Sequence, residues 1–178
     1  MRYHRYYVLK IFCKKDPFLP SFGGQALFDH VIQKRLQPVV VAVQIVENTW
    51  RVKLLYVNAG HNPPLLRRAG GGYDYLRTRS GFVLAGVEET RYRSCSLELA
   101  PGDALFLYTD GVTEATDAEK QLYGEERLAT ALNSHKDYAP KELLSAVRDD
   151  VEAFVGQAPQ FDDITVLSLC YYGQTQGI

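Results

Sequence analysis

Ala104-Leu105-Phe106-Leu107-Tyr108-Thr109-Asp110-Gly111-Val112-Thr113-Glu114 is the stretch on which the reading of this chain turns. Consecutive apolar and aromatic residues lead straight into an acid followed by glycine. A run that is apolar on both faces of its pleat must be covered on both sides, so a buried strand is expected over residues 104–108. That strand delivers Asp110 to the rim of a sheet. Gly111 is expected to let the backbone turn sharply there, or pass close to a ligand, without a side chain in the way. The plainer alternative is a strand that simply ends in an Asp-Gly turn.

A second acidic mark, Gln160-Phe161-Asp162-Asp163, comes immediately before another apolar run, Ile164-Thr165-Val166-Leu167-Ser168-Leu169. Here the acids precede the strand. If the two strands are antiparallel neighbours, the end of one and the start of the other share an edge, where Asp110 and Asp162 can converge. Hard cations such as magnesium or manganese take several oxygen ligands, and carboxylates from separate strands supply them.

The rest of the chain is compatible with one domain around these strands. Its 178 residues can bury a sizeable core, and 46% hydrophobic with 23% charged residues is ordinary for a globular protein. A net charge of −1 gives no broad attraction to nucleic acid or an anionic membrane. Cys13, Cys95 and Cys170 are scattered, with no CxxC or zinc spacing, and read as reduced thiols. No run is long enough to span a membrane, and no signal-peptide pattern opens the chain, so a cytoplasmic location is expected.

In chain order, residues 3–13 are aromatic and β-branched enough for a strand, either an edge strand or an arm, set off by breakers as far as Gly24. Leu27, Phe28, Val31, Ile32 and Leu36 recur at helical spacing before Pro38. Residues 39–46 and 50–57 read as a hairpin, and strands are expected at 65–68, 73–77, 91–99 and 164–172. Ala69-Gly70-Gly71-Gly72 reads as a hairpin turn rather than a phosphate cradle, since no Lys-Ser or Lys-Thr follows. Pro101-Gly102-Asp103 is a tight turn, residues 116–123 a polar loop, and helices open at Gly124 and Pro140, the second with a stripe of Leu144, Val147, Val151 and Phe154. Grouped helices on predominantly antiparallel strands predict an α+β architecture of two sheets flanked by helices.

Four motifs in this order, Tyr56-Val57-Asn58-Ala59-Gly60-His61-Asn62-Pro63-Pro64, Pro101-Gly102-Asp103, Tyr108 to Ala115 and Phe161-Asp162-Asp163-Ile164-Thr165, resemble the sporulation stage II protein E family of bacterial serine phosphatases, within the PPM-type superfamily. The resemblance runs from about Leu54 to Leu169 and extends back towards Leu27. It implies an antiparallel two-sheet sandwich with helices outside, and two manganese or magnesium ions at one end. It also implies hydrolysis of phosphoserine or phosphothreonine by metal-activated water. Carried over by motif, Asp110 and Asp162 are the metal-ligand and catalytic aspartates, with Gly111, Asp163 and Glu114 in support. Asp163 matches a position often occupied by asparagine in distant relatives, and Glu114 reads equally well as a solvated turn carboxylate. The substrates implied are phosphorylated antagonists of anti-sigma factors, in stress or sporulation signalling.

The resemblance divides the chain into an atypical strand and loop at residues 1–24, a phosphatase-like domain at 25–172 and a short tail at 173–178. The family's N-terminal Gly-Asp motif, whose aspartate bridges the two metals, has no counterpart, because the only Gly-Asp pair is Gly102-Asp103 in a turn. An N-terminally incomplete domain is therefore expected, holding two ions, one or none. The alternative function is a degenerate domain that binds a phosphoprotein without catalysis. Apolar sheet surface would then be covered by the 3–13 strand or by another chain, which makes a homodimer one expected arrangement.

His61 reads as a turn-stabilising residue before a general acid. Arg67, Arg68, Arg77, Arg79, Arg91 and Arg93 read as exposed strand positions before a phosphoprotein dock. No Ser-His-Asp order or nucleophilic cysteine context favours a covalent mechanism.

Overall fold

Ala104–Tyr108 does form a strand, and both of its faces are covered. The computed structural model describes residues 5–11, 39–45, 52–58, 60–77, 93–159, 162 and 164–173. In chain order the strands are β1 (Arg5–Ile11), β2 (Val39–Ile45), β3 (Val52–Asn58), β4 (Leu65–Arg67), β5 (Tyr73–Tyr75), β6 (Cys95–Leu99), β7 (Ala104–Tyr108) and β8 (Thr165–Tyr171). The helices among the described residues are α1 (Asp110–Thr113), α2 (Gly124–Ser134) and α3 (Pro140–Val155).

Two sheets result, ordered β1-β8-β7-β4-β5 and β2-β3-β6. Every described pairing is antiparallel except that of β1, which runs parallel to β8 at the edge of the larger sheet. The expected edge strand is therefore present, with Arg5 opposite Thr165 and Ile11 opposite Tyr171.

Alternation along β7 divides the core in two. Phe106 and Tyr108 face α2 and α3, where they pack with Leu128, Leu132, Leu143 and Val147. Leu105 faces the smaller sheet and joins Leu54, Leu97, Leu99, Leu169 and Tyr171. The order is helices, larger sheet, smaller sheet. A strand between two apolar layers has to be apolar along its length, which is why the side chains of residues 104–107 carry no polar atom and the one side-chain hydroxyl, that of Tyr108, comes at the strand's end.

The helices follow from local chemistry. Pro140 begins α3 with its fixed φ, and the Glu142 carboxylate accepts the Ala139 N–H at 3.2 Å, one half of a capping box. Alanine has no acceptor to supply the other half. Leu143 joins the expected stripe of α3 as a buried residue, while Phe154 is half-buried and stacks edge-on against Tyr123. Arg127 of α2 lies 4.5 Å over the Phe154 ring and fastens the two helices.

Two expectations change, and one takes a specific form. The turn expected at Gly111 is a single helical turn, residues 110–113, and the positive-φ glycines among the described residues are elsewhere. The Asp-Gly pair thus starts a helix because Thr109 ahead of it is extended, at φ −85° and ψ 161°. Arg67 is not an exposed strand position, since its side chain is 15% exposed, lies over Tyr73 and donates to the carbonyl of Lys136 at 2.6 Å. Arg68 and Arg77 are exposed but engaged, with Asp103 and Glu125 respectively. The strands expected at 73–77 and 91–99 are shorter, at Tyr73–Tyr75 and Cys95–Leu99. The helix expected over 25–36, together with Arg79, Arg91 and Asp163, lies outside the described residues.

Candidate functional site

The antiparallel register of β7 and β8 sets Tyr108 opposite Val166. Beyond that last pair the two chains stay joined through Thr109. Its backbone N–H donates to the Thr165 carbonyl at 2.9 Å, and its side-chain Oγ1 accepts the Thr165 N–H at 3.0 Å. Asp110 follows Thr109, and Asp162 precedes Thr165 by three residues, so both acids belong to one end of the larger sheet.

Asp110 is held from its own backbone. Its carbonyl accepts the Glu114 N–H at 2.8 Å and the Thr113 hydroxyl at 3.3 Å, while the Thr109 carbonyl accepts the Val112 N–H at 3.0 Å. Val112 is fully buried and plugs this turn into the helix-side core. The Asp110 carboxylate is half-buried and accepts the Gly111 N–H at 3.0 Å. Asp162 and Glu114 are exposed. Gly111 is buried in α1 beside Asp110.

The loop before β4 reaches the same end, because Leu65 pairs with Phe106 and the chain enters β4 from the Tyr108 side. Asn58 closes this loop: its side chain accepts the His61 N–H at 2.8 Å and donates to the His61 carbonyl at 2.9 Å. The His61 ring packs back on the loop, with Nδ1 3.0 Å from the Asn62 carbonyl. Turn stabilisation is thus carried by buried Asn58 through the backbone of His61. Beneath the loop the Tyr108 hydroxyl is buried near Tyr75 and Asn62 without a hydrogen bond of good geometry. Burial pushes its pKa up, so it stays protonated.

Hard carboxylate oxygens such as those of Asp110 and Asp162 suit Mn2+ or Mg2+. Among the described residues no group of three or more His, Cys, Asp or Glu side chains is assembled to hold a metal. The described residues therefore fit at most one ion that keeps most of its water, and they do not fit a two-ion centre. The turn acid Asp103 cannot join, since it lies at the opposite end of β7, buried and bonded to Ala69, Ala100 and Arg68.

Sequence reasoning missed Thr109 and Asn58. For Asn58 the signal was present, an asparagine three residues before the histidine whose turn it closes, whereas the local context of Thr109, ahead of an Asp-Gly pair, points only to a helix cap.

Comparison with known proteins bears on this geometry. The profile of the Stage II sporulation protein E (SpoIIE) family matches residues 26–172. Protein IcfG of Synechocystis sp. is 31% identical over 116 residues, 65% of this chain and 18% of IcfG. The SiaA-PP2C domain of Pseudomonas aeruginosa is 27% identical with a TM-score of 0.54, over 67% of this chain and 46% of that one. The manganese-presoaked phosphatase domain of the cell fate determinant SpoIIE from Bacillus subtilis has a TM-score of 0.57 over 90% of this chain and 79% of its own, and at 14% identity the likeness is one of fold. The chain spans less than a fifth of IcfG and less than half of the SiaA-PP2C chain. Because the family match takes in β2 through β8 and all three described helices, and the fold recurs in solved phosphatase domains, the chain belongs to the Stage II sporulation protein E family of PPM-type phosphatases.

Proposed function

We propose that this chain acts as a metal-dependent protein serine/threonine phosphatase domain. Its substrate is a phosphoserine or phosphothreonine protein, an antagonist of an anti-sigma factor, in cytoplasmic stress or sigma-factor signalling. The observation that carries the reading is the Thr109–Thr165 pairing, which keeps Asp110 and the Asp162 segment at one sheet end. The motifs around both acids and the family match support it.

Asp110 and Asp162 would hold the ion, Mn2+ or Mg2+, with Gly111, Asp163 and Glu114 in support. Bound there, such an ion supplies Lewis acidity towards water and the phosphoryl oxygens. The chain's own part is to orient the two carboxylates: α1 fixes the Asp110 backbone, and Val112 anchors that turn in the core.

A second reading, a phosphoprotein-binding module without turnover, is favoured by the ligand count, since the described residues bring no third metal-binding side chain to the pair. A homodimer covering an open sheet edge is compatible with either.

Phosphate release from a phosphoserine peptide, with added manganese, decides between them. Turnover that needs manganese and falls about a hundredfold or more in Asp110→Asn and in Asp162→Asn is expected of the enzyme. Peptide binding without turnover, unchanged by either substitution, would transfer the chain to the second reading.

A further inference from the structure

We infer that Thr109 is a positioning residue for the acidic pair, its hydroxyl oxygen serving as one more rung of the β7–β8 ladder and holding the Asp110 turn against the segment that carries Asp162. This rests on the proposed metal site and adds to it the part that sets its geometry.

A threonine immediately before a helix ordinarily turns its hydroxyl inward, to accept a free N–H of the first turn. Thr109 has the extended backbone of such a cap but makes no side-chain cap bond. Its Oγ1 instead accepts the N–H of Thr165 on the neighbouring strand, at 3.0 Å. The backbone could not make this bond, because the Thr109 carbonyl has already turned into α1 and accepts the Val112 N–H. The side chain substitutes for the missing carbonyl just where the strand ends. Both backbone groups of Thr165 that face β7 are therefore bound to one residue, the carbonyl by the Thr109 N–H and the N–H by the Thr109 hydroxyl oxygen.

The consequence for the acids is geometric. Asp110 is covalently next to the clasp, and Asp162 is joined to it through Ile164, which packs against the helix-side core. Without the hydroxyl acceptor, the start of β8 keeps a single bond to Thr109, from the Thr109 N–H to the Thr165 carbonyl, and is held less firmly to the end of β7, while Val166 and Leu169 hold the rest of the strand. Ligands that are allowed to drift apart bind an ion less tightly, with no change to the ligands themselves.

The test compares Thr109→Val, which keeps the shape and removes the acceptor, with Thr109→Ser, which restores it. Free Mn2+ is titrated by its electron paramagnetic resonance signal against the whole chain, and exchange of the Thr165 amide hydrogen is followed in parallel. Thr109→Val is expected to weaken Mn2+ binding about tenfold and to speed Thr165 exchange, with Thr109→Ser close to wild type in both. Thr109→Val indistinguishable from wild type, or Thr109→Ser no better than Thr109→Val, overturns the inference. Asp110→Asn is the control for the site. If it leaves Mn2+ binding intact, the metal reading fails, and the Thr165 amide alone then judges the clasp: faster exchange in the valine variant, restored by serine, sustains it, and unchanged exchange sinks it.

Discussion

β7 runs between two aspartates that have opposite fates. At its start Asp103 is 2% exposed and its carboxylate accepts three hydrogen bonds, from the Ala69 N–H at 2.9 Å, the Ala100 N–H at 3.0 Å and Arg68 at 2.6 Å. At its end Asp110 is half-buried and, among the described residues, its carboxylate accepts the Gly111 N–H alone. A carboxylate has about four acceptor sites. Asp103 has spent most of its sites on the fold, whereas Asp110 keeps its own for something else. Two acids flanking one strand are thus separated into a structural and an available one by their partners, although both sit next to a glycine.

The same substitution at both positions should make the largest contrast. Asp103→Asn keeps the volume but turns one oxygen into a donor, which must then face a backbone N–H. A cost of about 2–4 kcal/mol is expected in urea unfolding, since a buried donor is left opposed and Arg68 loses its counter-charge. Asp110→Asn opposes only one local N–H and should change stability by no more than about 0.5 kcal/mol. Its effect falls on manganese binding and on turnover instead. Equal stability losses at the two positions would erase the distinction between them.

Gly102 sharpens the contrast at the Asp103 end with a smaller effect. Its φ of +91° is one that residues with a side chain rarely adopt, and an added Cβ would meet the Ala69 Cβ at 3.0 Å. Gly102→Ala is expected to cost about 1–2 kcal/mol, measured by the urea midpoint. The loss should leave manganese binding unchanged, because the acids proposed to hold the ion lie at the other end of β7. Weakened manganese binding in a fully folded Gly102→Ala chain would mean that the two ends of β7 are coupled.

These residues also mark how far the sequence could be read. The double-faced burial of β7 was legible because covering on both sides demands apolar residues at every position, a constraint that acts locally. So was the turn at Pro101-Gly102-Asp103, and the stripe of α3. What could not be read was the fate of the turn acid. Asp103 finds its partners at Arg68 and Ala69, 35 and 34 residues away, and nothing in Pro-Gly-Asp distinguishes a buried acid from a solvated one. Thr109 escaped notice for the same reason, since its partner is 56 residues distant and its local context suggests an ordinary helix cap. Asp110 stood out from its motif alone, but the number of ligands that gather round it depends on long-range geometry that the motif does not encode.

The smallest effect concerns the tyrosines at the two ends. Tyr73 pairs with Arg67 near the Asp103 end, and its pKa is pushed from 10 up to about 12, mainly by burial, with Arg67 pulling it partly back. Tyr75 and Tyr108, towards the Asp110 end, are also raised by burial, and each is further perturbed by the other. A tyrosine whose folded pKa exceeds its unfolded value holds its proton in the native state after the unfolded chain has lost it. The native state then binds more protons, and stability must fall as pH rises. For Tyr73 the contribution is complete below pH 10 and is lost between pH 10 and about 12. Phenylalanine cannot titrate, so Tyr73→Phe should flatten, without abolishing, the decline of the urea midpoint across this window, since Tyr75, Tyr108 and Tyr123 decline with it. An unaltered slope in Tyr73→Phe would mean that Tyr73 is solvated in the native chain, and that the packing of β5 against α2 at this end is looser than the burial of its ring requires.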